Sequence, residues 1–98
     1  MKEEFANLVL TDNTAESRFE LPFEKRLAFI EYELKDDTIA LLHTEVDPAL
    51  EGRGVGTAII EKVLAEIESR NLKLIPLCPF VVAYVKRHPD WERILVEK

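Results

Sequence analysis

Glycine is scarce in this chain. Its 98 residues hold three, Gly52, Gly54 and Gly56, and they fall at alternate positions of one six-residue stretch, EGRGVG. Cysteine is scarcer still: Cys78 stands alone, so an internal disulfide is excluded and a reducing cytoplasm suits the chain. Positive charge is also short, with 13 Lys and Arg against 19 Asp and Glu and a net charge of −6. That balance opposes polyphosphate binding by bulk attraction, so no nucleic-acid partner is expected, and any anionic ligand must be held by local geometry. Long apolar runs are missing, all being far shorter than the ~20 residues of a membrane-spanning helix. The opening MKEEFANLVL has neither an apolar core nor a small-residue cleavage site, so neither a signal peptide nor a membrane partner is expected. What is present is 47% hydrophobic residues, enough for one core, and the expectation is a single soluble, cytoplasmic domain over residues 1–98.

The order of elements follows from periodicity. Phe5–Leu10 is short and apolar and reads as a first strand. Arg18–Leu21 alternates polar and apolar residues until Pro22 interrupts it. Leu27–Leu34 (LAFIEYEL) has the alternation of a half-buried strand. A charged turn, Lys35–Asp37, then leads into Thr38–Val46 (TIALLHTEV), which makes an antiparallel hairpin with the strand before it. Pro48 stops that strand because it has no amide to give to a ladder. From Val55 the period becomes helical, with Ile59, Ile60, Val63, Leu64 and Ile67 on one side, and Asn71 is the expected stop. Leu72–Leu77 is an apolar strand that Pro76 marks as bulged or at an edge. Pro79 opens a helix reaching Arg87, and Asp90 caps a last short helix, Trp91–Val96. Strand, helix and strand across Thr38–Leu77 imply a right-handed crossover between parallel strands. The fold class is α/β or α+β, a sheet with helices against it.

A strand that passes through a glycine-rich turn into a helix can make an anion site. Glycine lets the backbone approach a ligand closely, and the first helical amides lack intrahelical acceptors at the positive end of the helix dipole. The amides of Arg53, Gly54, Val55, Gly56 and Thr57 would cradle a diphosphate, with the Arg53 side chain adding charge at the rim. The glycines serve equally well in a tight turn that only needs close packing, and the six residues by themselves do not choose. The spacing is GxGxG and there is no GxxxxGK[ST], so neither a dinucleotide fingerprint nor a P-loop is present.

Three stretches together are more specific: HTEV at His43–Val46, VDPALEGRGVGTAIIEKVL around the bend, and PLCPFVVAYVKRHPDW at Pro76–Trp91. In this order they resemble the small, single-domain members of the GCN5-related N-acetyltransferases, from about Arg18 to Trp91. The resemblance implies a compact, mixed and mostly antiparallel sheet whose central strands splay apart to hold acetyl-CoA. Gly54, Val55 and Gly56 would then bind pyrophosphate, and the main chain near Glu45 and Val46 would pair with the pantetheine arm and polarise the acetyl carbonyl. The larger family has Gln or Arg where this chain has Glu51. It also places a catalytic glutamate where this chain has Ala40, and the helical region that shapes an acceptor site in longer relatives is missing.

Among residues that could do chemistry, Cys78 falls near a helix N-cap, where thiolate is favoured, although a lone cysteine is most often a small buried hydrophobe. His43 and Glu45 share one strand face, so His43 could take a proton with Glu45 orienting it or acting as base, and a solvated pair is the bland alternative. Tyr84 lies roughly where larger relatives return a proton to CoA, though its helical spacing with Phe80 also suits the core. Lys86 and Arg87 could meet nucleotide phosphates or simply form a solvated helix end. Neither a metal-ligand spacing nor a catalytic triad has a local signature. Acetyl transfer from acetyl-CoA to an amine of unidentified structure leads. A non-catalytic CoA-binding module and an interaction domain with a purely structural glycine bend are the alternatives.

Overall fold

The computed structural model describes residues 3–96. Five strands lie in the sheet in sequence order: β1 (Thr11–Asn13), β2 (Arg18–Phe23), β3 (Arg26–Lys35), β4 (Thr38–Val46) and β5 (Lys73–Pro76). The first four run antiparallel and β5 is parallel to β4. Three helices complete the fold: α1 (Glu3–Ala6), α2 (Val55–Ser69) between β4 and β5, and α3 (Pro79–Arg87) after β5. A 3₁₀ turn, Pro89–Ile94, follows α3. This is the mixed, mostly antiparallel sheet expected from the sequence. No helix among the described residues is long and apolar enough to cross a membrane.

One stripe of α2 supplies much of the core. Val55, Ala58, Ile59, Ile60, Val63, Leu64 and Ile67 are all buried, at spacings that put them on one side of a 3.6-residue helix. They meet Phe19, Leu21, Ala28, Ile30, Ile39 and Leu41 from one face of the sheet, with Val81 and Val85 of α3 in the same cluster. Each large side chain so buried contributes about 1.5–3 kcal/mol. The helix stops where Asn71 takes a left-handed φ of 60°. There the amides of Asn71 and Leu72 donate to the carbonyls of Glu68 and Ile67, a Schellman close.

Three expectations change, and one strand was not expected. Phe5–Leu10 contains no strand: Glu3 and Glu4 occupy the first turn of α1, and Phe5 drops fully into the core, edge-on to Phe23 at 5.1 Å, with Leu8 and Leu10 partly buried against it. Pro22 does not interrupt β2, which runs on to Phe23. Proline is tolerated because β1 pairs β2 only between Arg18 and Glu20, so β2 is an edge at Pro22. β1 itself has no hydrophobic alternation to announce it, and is held by Tyr32 donating to Asp12 at 2.6 Å and by Arg70 pairing with Asp12 at 3.0 Å. The last segment is a 3₁₀ turn led by Pro89 with His88 at its cap, rather than a helix capped by Asp90.

Candidate functional site

The pairing of β4 with β5 ends early. Thr38–Leu41 matches Lys73–Pro76, and the Leu41 carbonyl then accepts from the amides of both Leu77 (3.2 Å) and Cys78 (3.0 Å). Beyond it the chain turns into α3 while β4 continues to Val46, paired only with β3. One edge of β4, from Leu42 to Val46, therefore borders a gap whose opposite wall is the start of α3. β4 and β5 thus part here, but β5 is the edge strand of the sheet, so the splay is not between two central strands as expected.

A bulge decides what faces the gap. Tyr32 pairs with Leu41 and Glu31 with His43, so Leu42 is an extra residue on β4. It reverses the alternation that Leu41 would impose. Thr44 and Val46, opposite Ile30 and Ala28, point to the helix side, and His43 and Glu45 point to the other face. There the His43 ring is 55% exposed, with Nε2 3.3 Å from Glu45 Oε1. The two residues expected to share a face do so, but on the side of the sheet away from Cys78.

Cys78 is the N-cap of α3, buried, with Pro79 in the first turn. Its Sγ donates to Thr44 Oγ1 at 3.4 Å. Burial works against the thiolate. The Thr44 hydroxyl and the amides of Val81, Phe80 and Thr44 outweigh it and hold the thiol below its ordinary range. Thr44 was not foreseen, because simple alternation from Leu41 puts His43 in its place.

Beyond Val46, Asp47 caps a short 3₁₀ turn, Pro48–Leu50, by accepting from the Ala49 amide at 2.9 Å. Gly52 and Gly54 then take φ of 80° and 91°, left-handed values at which other residues are strained. Gly54 caps α2 without a side-chain hydrogen bond, and its carbonyl receives the helix's bond from Ala58 at 3.0 Å. The amides of Val55, Gly56 and Thr57 precede that bond and form the positive end of α2. Gly56 has a different reason to be glycine: a Cβ there would lie 3.3 Å from the Phe80 ring and 3.6 Å from Val46 Cγ2. The bend thus combines two left-handed glycines with three amides that have no intrahelical acceptor.

The expected side chains are placed unevenly around it. Arg53 turns back from the bend onto Glu24, with two hydrogen bonds of 2.7 and 3.1 Å, and lies over the Phe23 ring. Glu51 is exposed. Tyr84 is buried against His88, with ring centroids 4.2 Å apart. Burial and the neighbouring Glu61 carboxylate, to which it is hydrogen-bonded, push its phenol up to about 12. It is thus a reluctant proton donor tied to α2. Arg87 is in the last turn of α3, where a cation complements the helix dipole, about 10 Å along the axis from Phe80. Among the described residues no group of three or more His, Cys, Asp or Glu could hold a metal.

Comparison with known proteins agrees with this fold. Residues 18–94 match the family model of the GCN5-related N-acetyl-transferases. The solution structure of a GCN5-like candidate N-acetyltransferase from Staphylococcus aureus superposes with a TM-score of 0.69 at 26% identity, covering 95% of this chain and 92% of that one. No curated protein matches the sequence.

Proposed function

Because this chain belongs to the GCN5-related N-acetyltransferase family, we propose that it binds acetyl-CoA in the splay between β4 and α3 and transfers the acetyl group to an amine. The observation that carries this reading is the juxtaposition of the freed edge of β4 with the glycine bend that follows it. The amides of Val55, Gly56 and Thr57 would hold the diphosphate, and the backbone of Glu45 and Val46 would pair with the pantetheine arm as an added strand. A backbone cradle also suits a chain whose net charge is −6 and whose Arg53 is occupied by Glu24. Acetyl-CoA supplies a thioester carbonyl already activated toward an amine.

The chain's own part is to hold that carbonyl, polarise it and remove a proton. Direct attack by the amine is the favoured route, since it needs one alignment where an acyl-cysteine route needs two. His43, oriented by Glu45, accepts the proton of an amine that approaches from the exposed face of β4. As the C–N bond forms the C–S bond breaks, and CoA leaves as its thiolate, which takes a proton from solvent. Cys78 lies across the strand from that pair, beside Thr44. A free thiol suits the reducing cytoplasm.

Thermal unfolding with increasing CoA, followed by acetyl transfer to a panel of amines, tests the reading. A raised midpoint with turnover of at least one amine supports it. A raised midpoint without turnover leaves a CoA-binding module, and an unmoved midpoint leaves the bend as a structural turn. His43→Ala is expected to lose activity by about 10²–10⁴-fold, the usual worth of a general base. Cys78→Ala retains most of it. An acetyl found on Cys78 by intact mass, and passed to added amine at the turnover rate, would replace direct attack with a two-step route.

A further inference from the structure

A track from the freed edge of β4 to the glycine bend has one obstruction. Phe80, in the first turn of α3, is 39% exposed, a large apolar ring only partly covered by the fold. Its Cζ lies 3.3 Å from the point where a Cβ on Gly56 would stand, and Val46 Cγ2 approaches the same point to 3.6 Å. The end of β4, the first turn of α2 and the first turn of α3 thus converge through Val46, Gly56 and Phe80. Along the rest of its freed edge, from Leu42, β4 has no strand partner on that side among the described residues. An arm laid on this edge and ending at the α2 amides has to pass where the Phe80 ring sits.

We propose that Phe80 is the gate of the acetyl-CoA track, a conclusion that rests on the acetyl-CoA reading above. With the ring against Gly56 and Val46 the track is closed, and rotation about the Phe80 side chain opens it. The ring has no polar atom to anchor it, and part of its surface already meets water, so opening breaks only an apolar contact. Gly56 lets the ring lie this close: a Cβ there would stand 3.3 Å from the ring tip, which would have to give by a few tenths of an ångström. A protein whose competent state is only partly populated binds more slowly and more weakly than its intrinsic affinity allows, by the fraction that is open.

The test is the rate of CoA association measured by stopped flow on the whole chain. Phe80→Ala is expected to raise the association rate about tenfold, and Phe80→Trp to lower it. Phe80→Leu, which keeps an apolar filler on the helix, should fall between Ala and the native residue and serves if Ala fails to fold. In parallel, the Gly56 amide and α-protons should show a ring-current shift from Phe80 that vanishes both in Phe80→Ala and on adding CoA to the native protein. A native protein that binds CoA while Phe80→Ala and Phe80→Leu bind no faster would overturn the gate alone. Retention of the Gly56 ring-current shift in the CoA complex would do the same. A native protein that does not bind CoA at all removes the gate together with the acetyl-CoA reading.

Discussion

At Cys78 opposing influences act on one sulfur. Its burial favours the neutral thiol, while the Thr44 hydroxyl and three backbone amides favour the thiolate and prevail. The sign follows: with the folded value below the ordinary one, any stability the thiolate contributes is present above the ordinary thiol range. It is lost as pH falls through the folded value. Alkylation of Cys78 by iodoacetamide should therefore reach half its plateau rate at a lower pH in the native protein than in urea. Thr44→Val removes the hydroxyl at nearly constant shape and should move the native midpoint upward, and Thr44→Ser should restore it. Coincident native and denatured midpoints would mean that burial dominates. Residue types alone could place Cys78 at a helix cap, because Pro79 marks the first turn. They could not place Thr44 beside it, because the extra residue at Leu42 depends on pairing with Glu31 and Tyr32 across the sheet.

Among the elements, the β2–β3 hairpin shows a backbone conflict. Phe23 pairs with Arg26, leaving a two-residue loop in which Glu24 and Lys25 take φ of 51° and 64°. Such loops favour glycine or asparagine, and here neither is used. Glu24 has a reason to stay, since it holds Arg53 in two hydrogen bonds. Lys25→Gly should accordingly stabilise the protein by about 1 kcal/mol, raising the melting temperature by about 4–8 °C. A fall in stability would show that the flexibility gained by the unfolded chain outweighs the relief of strain. At the glycine bend the opposite substitution applies. Gly54→Val puts a branched side chain at φ 91° beside the α2 amides and should abolish CoA binding in a protein that still folds. Arg53→Ala should weaken binding by less than about tenfold, because Glu24 already engages the guanidinium. Isothermal titration distinguishes the two. Among the long elements, β3 and α2 were legible because their alternation or helical spacing persists over eight or more residues. β4 was legible because a charged turn and Pro48 bound it, although its alternation breaks at Leu42, and α3 because Pro79 marks its first turn. The short ones were not: α1 is set by a single ring, Phe5 against Phe23, and β1 by the polar contacts of Asp12.

For the whole molecule, the net charge has the same sign as the proposed polyphosphate ligand. A chain of net charge −6 repels a polyphosphate at long range and can attract it only at the bend. Raising the ionic strength from about 10 to about 150 mM shortens the screening length from about 30 to about 8 Å, which removes the repulsion before it removes the contact. CoA association is thus expected to speed up with moderate salt, the reverse of the dependence seen when a basic surface steers an anion. A rate that falls steadily over this range would point to a cationic approach path that the net charge conceals.

The carbonyl of Leu41, which takes both the Leu77 and the Cys78 amides, acts as the pivot of a pair of compasses. One leg is the rest of β4 and the other is α3, and both are braced by α2 through the core. Moving the legs apart strains this shared joint before it disturbs any ladder of the sheet. It follows that the two amides form a built-in strain gauge. Their joint resistance to exchange with solvent measures how firmly the angle is set, independently of what lies between the legs.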